Sequence, residues 1–199
     1  MIALEEHFFS TYASNDANYG RSFNGYPAYV NDGLRSLQDP KMRLQCMAAG
    51  NIAKQILSHT PVKGLGSSEL CRSSNNELCD AFLANRSRFV GFALLPMAEP
   101  EAAAAELERC VKKLGFVGAL LGCHLDGTFY DGIKFRPVFN KAVELDVPLY
   151  IHHCPPSDAM AMFYHGNYSA RVASDLSTFS WGWHEQWRAP DPALRFAPV

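Results

Sequence analysis

The run "FVGFALLPM" at residues 89–97 is apolar at almost every position, too continuously for a strand with one wet face. A strand of this kind is covered on both sides, as in parallel sheets flanked by helices. The next segment agrees with that reading. Residues 99–115, "EPEAAAAELERCVKKLG", open on Pro100 and Glu101, align Leu107, Val111 and Leu114 on one stripe, and close on two lysines and Gly115. Acid first, base last and a glycine stop are the order a helix dipole and its caps favour. Residues 116–122, "FVGALLG", are strand-like again and complete a strand–helix–strand unit.

The same alternation extends in both directions. Residues 2–4 with Phe8 and Phe9 read as a short first strand, 51–60 as a second and 147–153 as a fifth. Helices are predicted over 36–50, where Asp39 can cap and Pro40 fits the first turn, over 75–88 with Leu78, Phe82 and Leu83 on one side, and over 134–146 with Phe139 and Val143 at related spacing. Residues 10–33 and 61–74 are rich in Ser, Asn, Gly or Pro and read as loops. Apolar strands alternating with amphipathic helices predict a parallel α/β architecture. Periodicity alone leaves an open sheet and a closed barrel both standing. No glycine pattern for a dinucleotide or a nucleotide phosphate occurs.

With 199 residues, 48% of them apolar, the chain can bury one sizeable core, and a single domain is the default. A net charge of -2 provides no basic field, so neither nucleic acid nor an anionic membrane is an expected partner. No apolar run approaches the roughly 20 residues that span a bilayer, and no basic leader precedes one, so the expected compartment is the cytoplasm. Six scattered cysteines without a C-x-x-C pair are expected to be free thiols.

Two strand ends carry chemistry. In "MIALEEHFF", Glu5 and His7 are two apart and should leave one face of the first strand, while Glu6 leaves the other. In "VPLYIHHCPPS", His152 follows a run too apolar for the surface and would lie at the same end of a parallel sheet. A carboxylate and two imidazoles converging there suit a borderline divalent ion such as zinc. The bland reading is a solvated Glu and two unrelated histidines with backbone partners. His59, near the end of the second strand, could also approach such a site.

Several separated blocks carry a resemblance: "ALEEHF" at 3–8, "FVGFALLPM" at 89–97 with its alanine-rich helix, "LGFVGALL" at 114–121, "FYD" at 129–131 and "LDVPLYIHH" at 145–153. Together they resemble the amino-terminal half of the amidohydrolase-like aromatic acid decarboxylases, in particular the gamma-resorcylate and 2,3-dihydroxybenzoate decarboxylases. The wider group includes aminocarboxymuconate semialdehyde decarboxylase. The resemblance runs over residues 2–186, leaving 187–199 as a divergent Pro-rich tail.

It implies a TIM-barrel-like α/β fold, here an incomplete barrel of about five parallel strands, since a closed one takes about 250 residues. It also implies a divalent metal, zinc or manganese, held by Glu5, His7 and His152. The implied reaction is nonoxidative loss of CO2 from a small aromatic carboxylic acid of hydroxybenzoate type, with a homo-oligomer as the assembly. Phe23 and Tyr26 could wall the substrate ring or pin their loop. His124, after the fourth strand, is a substrate-contact candidate.

Two departures stand out. His153 replaces the proline that follows the family's histidine. After "STFSWGWHEQ" (177–186), where His184 is expected to be structural, no later histidine block and no proton-donating Asp follows. The sequence therefore predicts a truncated chain with little or no decarboxylase activity. A metal-dependent hydrolase, or a noncatalytic fragment that associates with a full-length subunit, are the alternatives.

Overall fold

The computed structural model describes residues 1–12, 38–59, 67–154, 157 and 159–160. The candidates Phe23 and Tyr26, most of the 10–33 loop, His165, the 177–186 block with His184 and the 187–199 tail lie outside the described residues.

Five strands form one sheet in chain order: β1 (Ile2–Phe8), β2 (Lys54–His59), β3 (Phe89–Leu94), β4 (Gly118–Gly122) and β5 (Leu149–His152). Every neighbouring pair is parallel. A helix lies in each connection: α1 (Pro40–Ala49), α2 (Ser68–Phe82), α3 (Pro100–Arg109) and α4 (Arg136–Leu145). Parallel neighbours need such crossovers, which is why the sequence alternates as it does. The register puts Phe8, Leu57, Phe89, Ala93, Ala119 and Leu121 on the face that shares one buried cluster with Met47, Leu78, Phe82, Leu107 and Val138 of the helices. Phe8, Phe82 and Phe89 meet edge to face, with centroids 5.5 and 5.4 Å apart. The opposite face carries His7, Phe92, Leu120, Tyr150 and His152 and lines the hollow of a half-barrel.

The helix ends follow their residues. The Asp39 carboxylate accepts from the Lys41 N–H at 2.8 Å, with Pro40 at the first helical position. Gly115, at φ +70°, ends the π-helical turn Cys110–Leu114 that extends α3. The loop predicted over 61–74 is corrected: α2 begins at Ser68. Ser67 caps it, its hydroxyl accepting from Leu70 N at 3.3 Å and its carbonyl from Cys71 N at 3.1 Å. A serine cap followed by Glu69 in the first turn was the signal hidden in a polar stretch. The helix predicted to 88 stops at Phe82 and tightens into a 3-10 turn, Leu83–Asn85. Val143, at helical spacing with Phe139, is 82% exposed, and Val138 and Ala142 are the buried residues of α4.

A buried polar clamp joins three of these elements. Asn75 of α2 accepts from Leu94 N and donates to Leu94 O, both at 2.9 Å, at the end of β3. Its amide also donates to Glu106 of α3 at 2.8 Å, and Glu106 is gripped by Arg109 at 2.7 Å. Burial disfavours the charged Glu106, yet the hydrogen bonds from Arg109 and Asn75 outweigh it and hold its pKa below the ordinary value.

Candidate metal centre

β1 does not run straight into the site. Its pairing slips between Ala3 and Glu6, so one extra residue is taken up, and Glu5 adopts φ +59°. A bulge of this kind re-aims a side chain at a strand end. Glu6 turns to the helix face, where its carboxylate accepts from Gln55 at 3.0 Å and lies 3.5 Å from Arg43. Glu5 turns into the hollow, as the spacing with His7 predicted. The buried guanidinium of Arg43 donates to the His7 carbonyl and fixes the backbone there.

The structure brings Glu5, His7 and His152 together. The rings of His7 and His152 stand edge to face at 5.1 Å, and a Glu5 carboxylate oxygen lies 4.0 Å from His152 Nε2. Two ligands at about 2.1 Å from one ion are about 3.4 Å apart at the tetrahedral angle, so the Glu5–His152 pair, at 4.0 Å, is near that spacing. His152 Nδ1 faces the His153 carbonyl at 2.5 Å. Donation to that carbonyl puts the proton on Nδ1 and leaves the lone pair on Nε2, the nitrogen 4.0 Å from Glu5. His7 Nδ1 is buried without a hydrogen-bond partner. Burial first, then the neighbouring His152, pull the His7 pKa down to about 4, against the pull of Glu5, so the ring is neutral at ordinary pH. An orphaned imidazole nitrogen, an imidazole lone pair and a carboxylate are donors that suit a divalent ion.

Tyr150, missed by the sequence reading, belongs to this arrangement. It lies two residues before His152 on the same face, stacks on Phe92 at 6.2 Å and donates its hydroxyl to Glu5. Burial and that bond push its pKa up to about 12, so it remains a donor. His153 is the first residue after β5 and stacks on His152 at 3.9 Å. His59 is taken up by structure: its Nε2 accepts from Ser10 N at 3.1 Å and its ring packs against Phe8 and Phe9.

His124 lies outside the three-residue set. Asp126 and Gly127, both at positive φ, make a two-residue hairpin between Leu125 and Thr128. The Gly127 N–H donates to His124 Nδ1 at 3.1 Å, and the ring packs against Phe129. Beside it stand Cys123 and Cys154, both buried, with sulfurs 3.0 Å apart. An open cleft of about 510 Å³ by Tyr12, Asn76, Glu77 and Asp80 includes none of these residues.

Comparison with known proteins adds kinship to this geometry. The amidohydrolase family signature matches residues 67–195. The chain is 44% identical over 188 residues to decarboxylase orsB of Emericella nidulans, covering 92% of this chain and 56% of that protein. It is 37% identical over 181 residues to the gamma-resorcylate decarboxylase of Rhodococcus jostii, covering 83% and 54%. A solved dihydroxybenzoic acid decarboxylase from a Polaromonas species, with bound manganese and the inhibitor 2-nitroresorcinol, superposes with a TM-score of 0.72 at 33% identity, over 83% of this chain and 53% of that one. The chain thus spans about half the length of the curated relatives it matches. Among the described residues, no helix is long and apolar enough to cross a membrane.

Proposed function

The chain belongs to the amidohydrolase family, and from that premise we propose that its half-barrel supplies part of a metal-dependent carboxy-lyase site for a hydroxybenzoate-type acid. The observation that carries this reading is the convergence of Glu5, His7 and His152 from the two outer strands. The decarboxylases among its relatives, and the manganese in a solved one, support it.

Glu5, His7 and His152 would hold the ion, zinc or manganese, since two imidazoles and a carboxylate suit both. An ion held there would supply Lewis-acid stabilisation of negative charge on the substrate. The side chains do the rest of the positioning. Tyr150 orients Glu5 through its hydroxyl, and the His153 carbonyl sets the tautomer of His152. The stacked faces of Phe92 and Tyr150 give the hollow an apolar wall beside the ligands, where an aromatic ring could lie. Loss of CO2 also requires a proton at the ring carbon, and we assign that donor to none of the described residues. Phe23, Tyr26 and His124 are our candidates for contacting the substrate.

The test is a metal titration of the purified 199-residue chain followed by an assay of CO2 release from gamma-resorcylate. One equivalent of manganese bound and lost in H152A, with little or no CO2 release because no proton donor is assigned among the described residues, is the expected result. A cooperatively folded chain that binds no divalent metal would remove the basis of the proposal. Ester cleavage without CO2 release would assign hydrolase chemistry to the same residues.

A further inference from the structure

Cys123 is the residue after β4 and Cys154 the second after β5, two adjacent strands. Both are buried, and their sulfurs are 3.0 Å apart. A ring nitrogen of His124 lies within 4.8 Å of both. Two thiols and an imidazole are the donor set of a zinc site, so two chemistries compete for this cluster.

Geometry separates them. Two thiolates about 2.3 Å from a tetrahedral zinc stand about 3.8 Å apart, so the sulfurs would have to separate and both lose their protons. The imidazole opposes that outcome. Its Nδ1 lone pair is engaged by the Gly127 N–H, which leaves the proton of the neutral ring on Nε2. Neither nitrogen can ligate unless the hairpin gives up that bond. Closing the sulfurs from 3.0 Å to the S–S distance of about 2.05 Å needs no third ligand and leaves the hairpin intact.

We propose that Cys123 and Cys154 are a redox-active dithiol, converted to an intramolecular disulfide by a low-molecular-weight disulfide. One cysteine thiolate attacks a sulfur of the small disulfide, forming a mixed disulfide and expelling a thiolate that takes up the proton. The second cysteine loses its proton and displaces the other small thiolate, which receives it. Two protein thiols and one small disulfide become one protein disulfide and two small thiols, with two electrons passing to the oxidant. The bond ties the chain leaving β5, two residues beyond His152, to the chain leaving β4. It requires no metal and stands apart from the carboxy-lyase reading.

The experiment treats the purified chain with oxidised glutathione, alkylates the remaining thiols, digests it and maps disulfides by mass spectrometry. The expected product links Cys123 to Cys154, consumes two of the six thiols and is reversed by dithiothreitol. Exposed Cys46 is the internal control and should carry only a glutathione adduct. In C123S, Cys154 should stop at the mixed disulfide. The readout on the unaltered chain does not depend on whether that variant folds. Cys123 and Cys154 both alkylated while Cys46 is glutathionylated would overturn the proposal. So would one equivalent of zinc that protects both thiols from the oxidant and is lost in H124A.

Discussion

His7 and His152 face each other at 5.1 Å although they come from β1 and β5, the two edges of a five-stranded sheet. Strands spaced about 4.8 Å apart would put those edges about 19 Å apart if the sheet were flat. The sheet must therefore curl until its outer strands point side chains into one hollow. Curvature, rather than proximity in sequence, assembles the site.

If that hollow binds metal, the two imidazoles are not interchangeable with other polar groups. H152A and H7A should each lower manganese affinity by more than about 100-fold, beyond the 10–100-fold typical of losing an outer partner. Titration calorimetry on variants with unchanged circular dichroism gives the measurement. Wild-type affinity in either one would exclude that histidine as a ligand.

Tyr150 acts through Glu5, so its two roles can be separated. Y150F keeps the stack on Phe92 and removes only the hydroxyl that Glu5 accepts from. It should leave the melting temperature nearly unchanged and weaken manganese binding about 10-fold. Y150L should lose both stability and affinity. Equal affinity in Y150F and the parent chain would mean that Glu5 is positioned by its bulge alone.

Much of this was legible in the sequence, for identifiable reasons. The buried parallel strands show as unbroken apolar runs, and Pro40, Pro100 and Gly115 mark helix ends because their backbone constraints are local. Glu5, His7 and His152 were visible because polar groups ending apolar strands are anomalous. The Ser67 cap escaped notice since serine is equally at home in a loop, and Val143 misled because an apolar residue at helical spacing need not be covered. The Cys123–Cys154 contact depends on how β4 and β5 are registered, which spacing along the chain does not encode.

The Asn75 clamp predicts both a stability loss and a pH dependence. N75A leaves Leu94 N and O without their buried partner, which should cost about 2–4 kcal/mol in urea unfolding. Glu106 is held below its ordinary value in the folded chain by its hydrogen bonds from Arg109 and Asn75, against the burial that would raise it, so the unfolded chain takes up its proton first as the pH falls. Its contribution is therefore complete above the unfolded pKa of about 4.3 and is lost as the pH drops through the lower folded value. E106Q should flatten the stability profile in that acidic window. An unchanged acid limb in E106Q would show that other carboxylates set it.

Gly118 tests whether β5 is docked as closely as the site requires. A Cβ there would lie 2.3 Å from the Pro148 carbonyl oxygen, the same oxygen that accepts from Ala119 N at 3.2 Å. No side-chain rotation can relieve a clash with backbone, so in G118A the start of β5 must move away from β4. The expected cost is about 1–3 kcal/mol, the range for overpacking a close contact. Because β5 carries Tyr150 and His152, manganese affinity should fall with it, although Gly118 is not among the proposed ligands. G132A is the control: its Cβ would meet only Phe135, at an ordinary 3.9 Å, and it should change stability by no more than about 0.5 kcal/mol. Urea melts and manganese titrations of the two variants side by side make the comparison. A G118A chain as stable as G132A would mean that β4 and β5 are not held as closely as the metal reading needs.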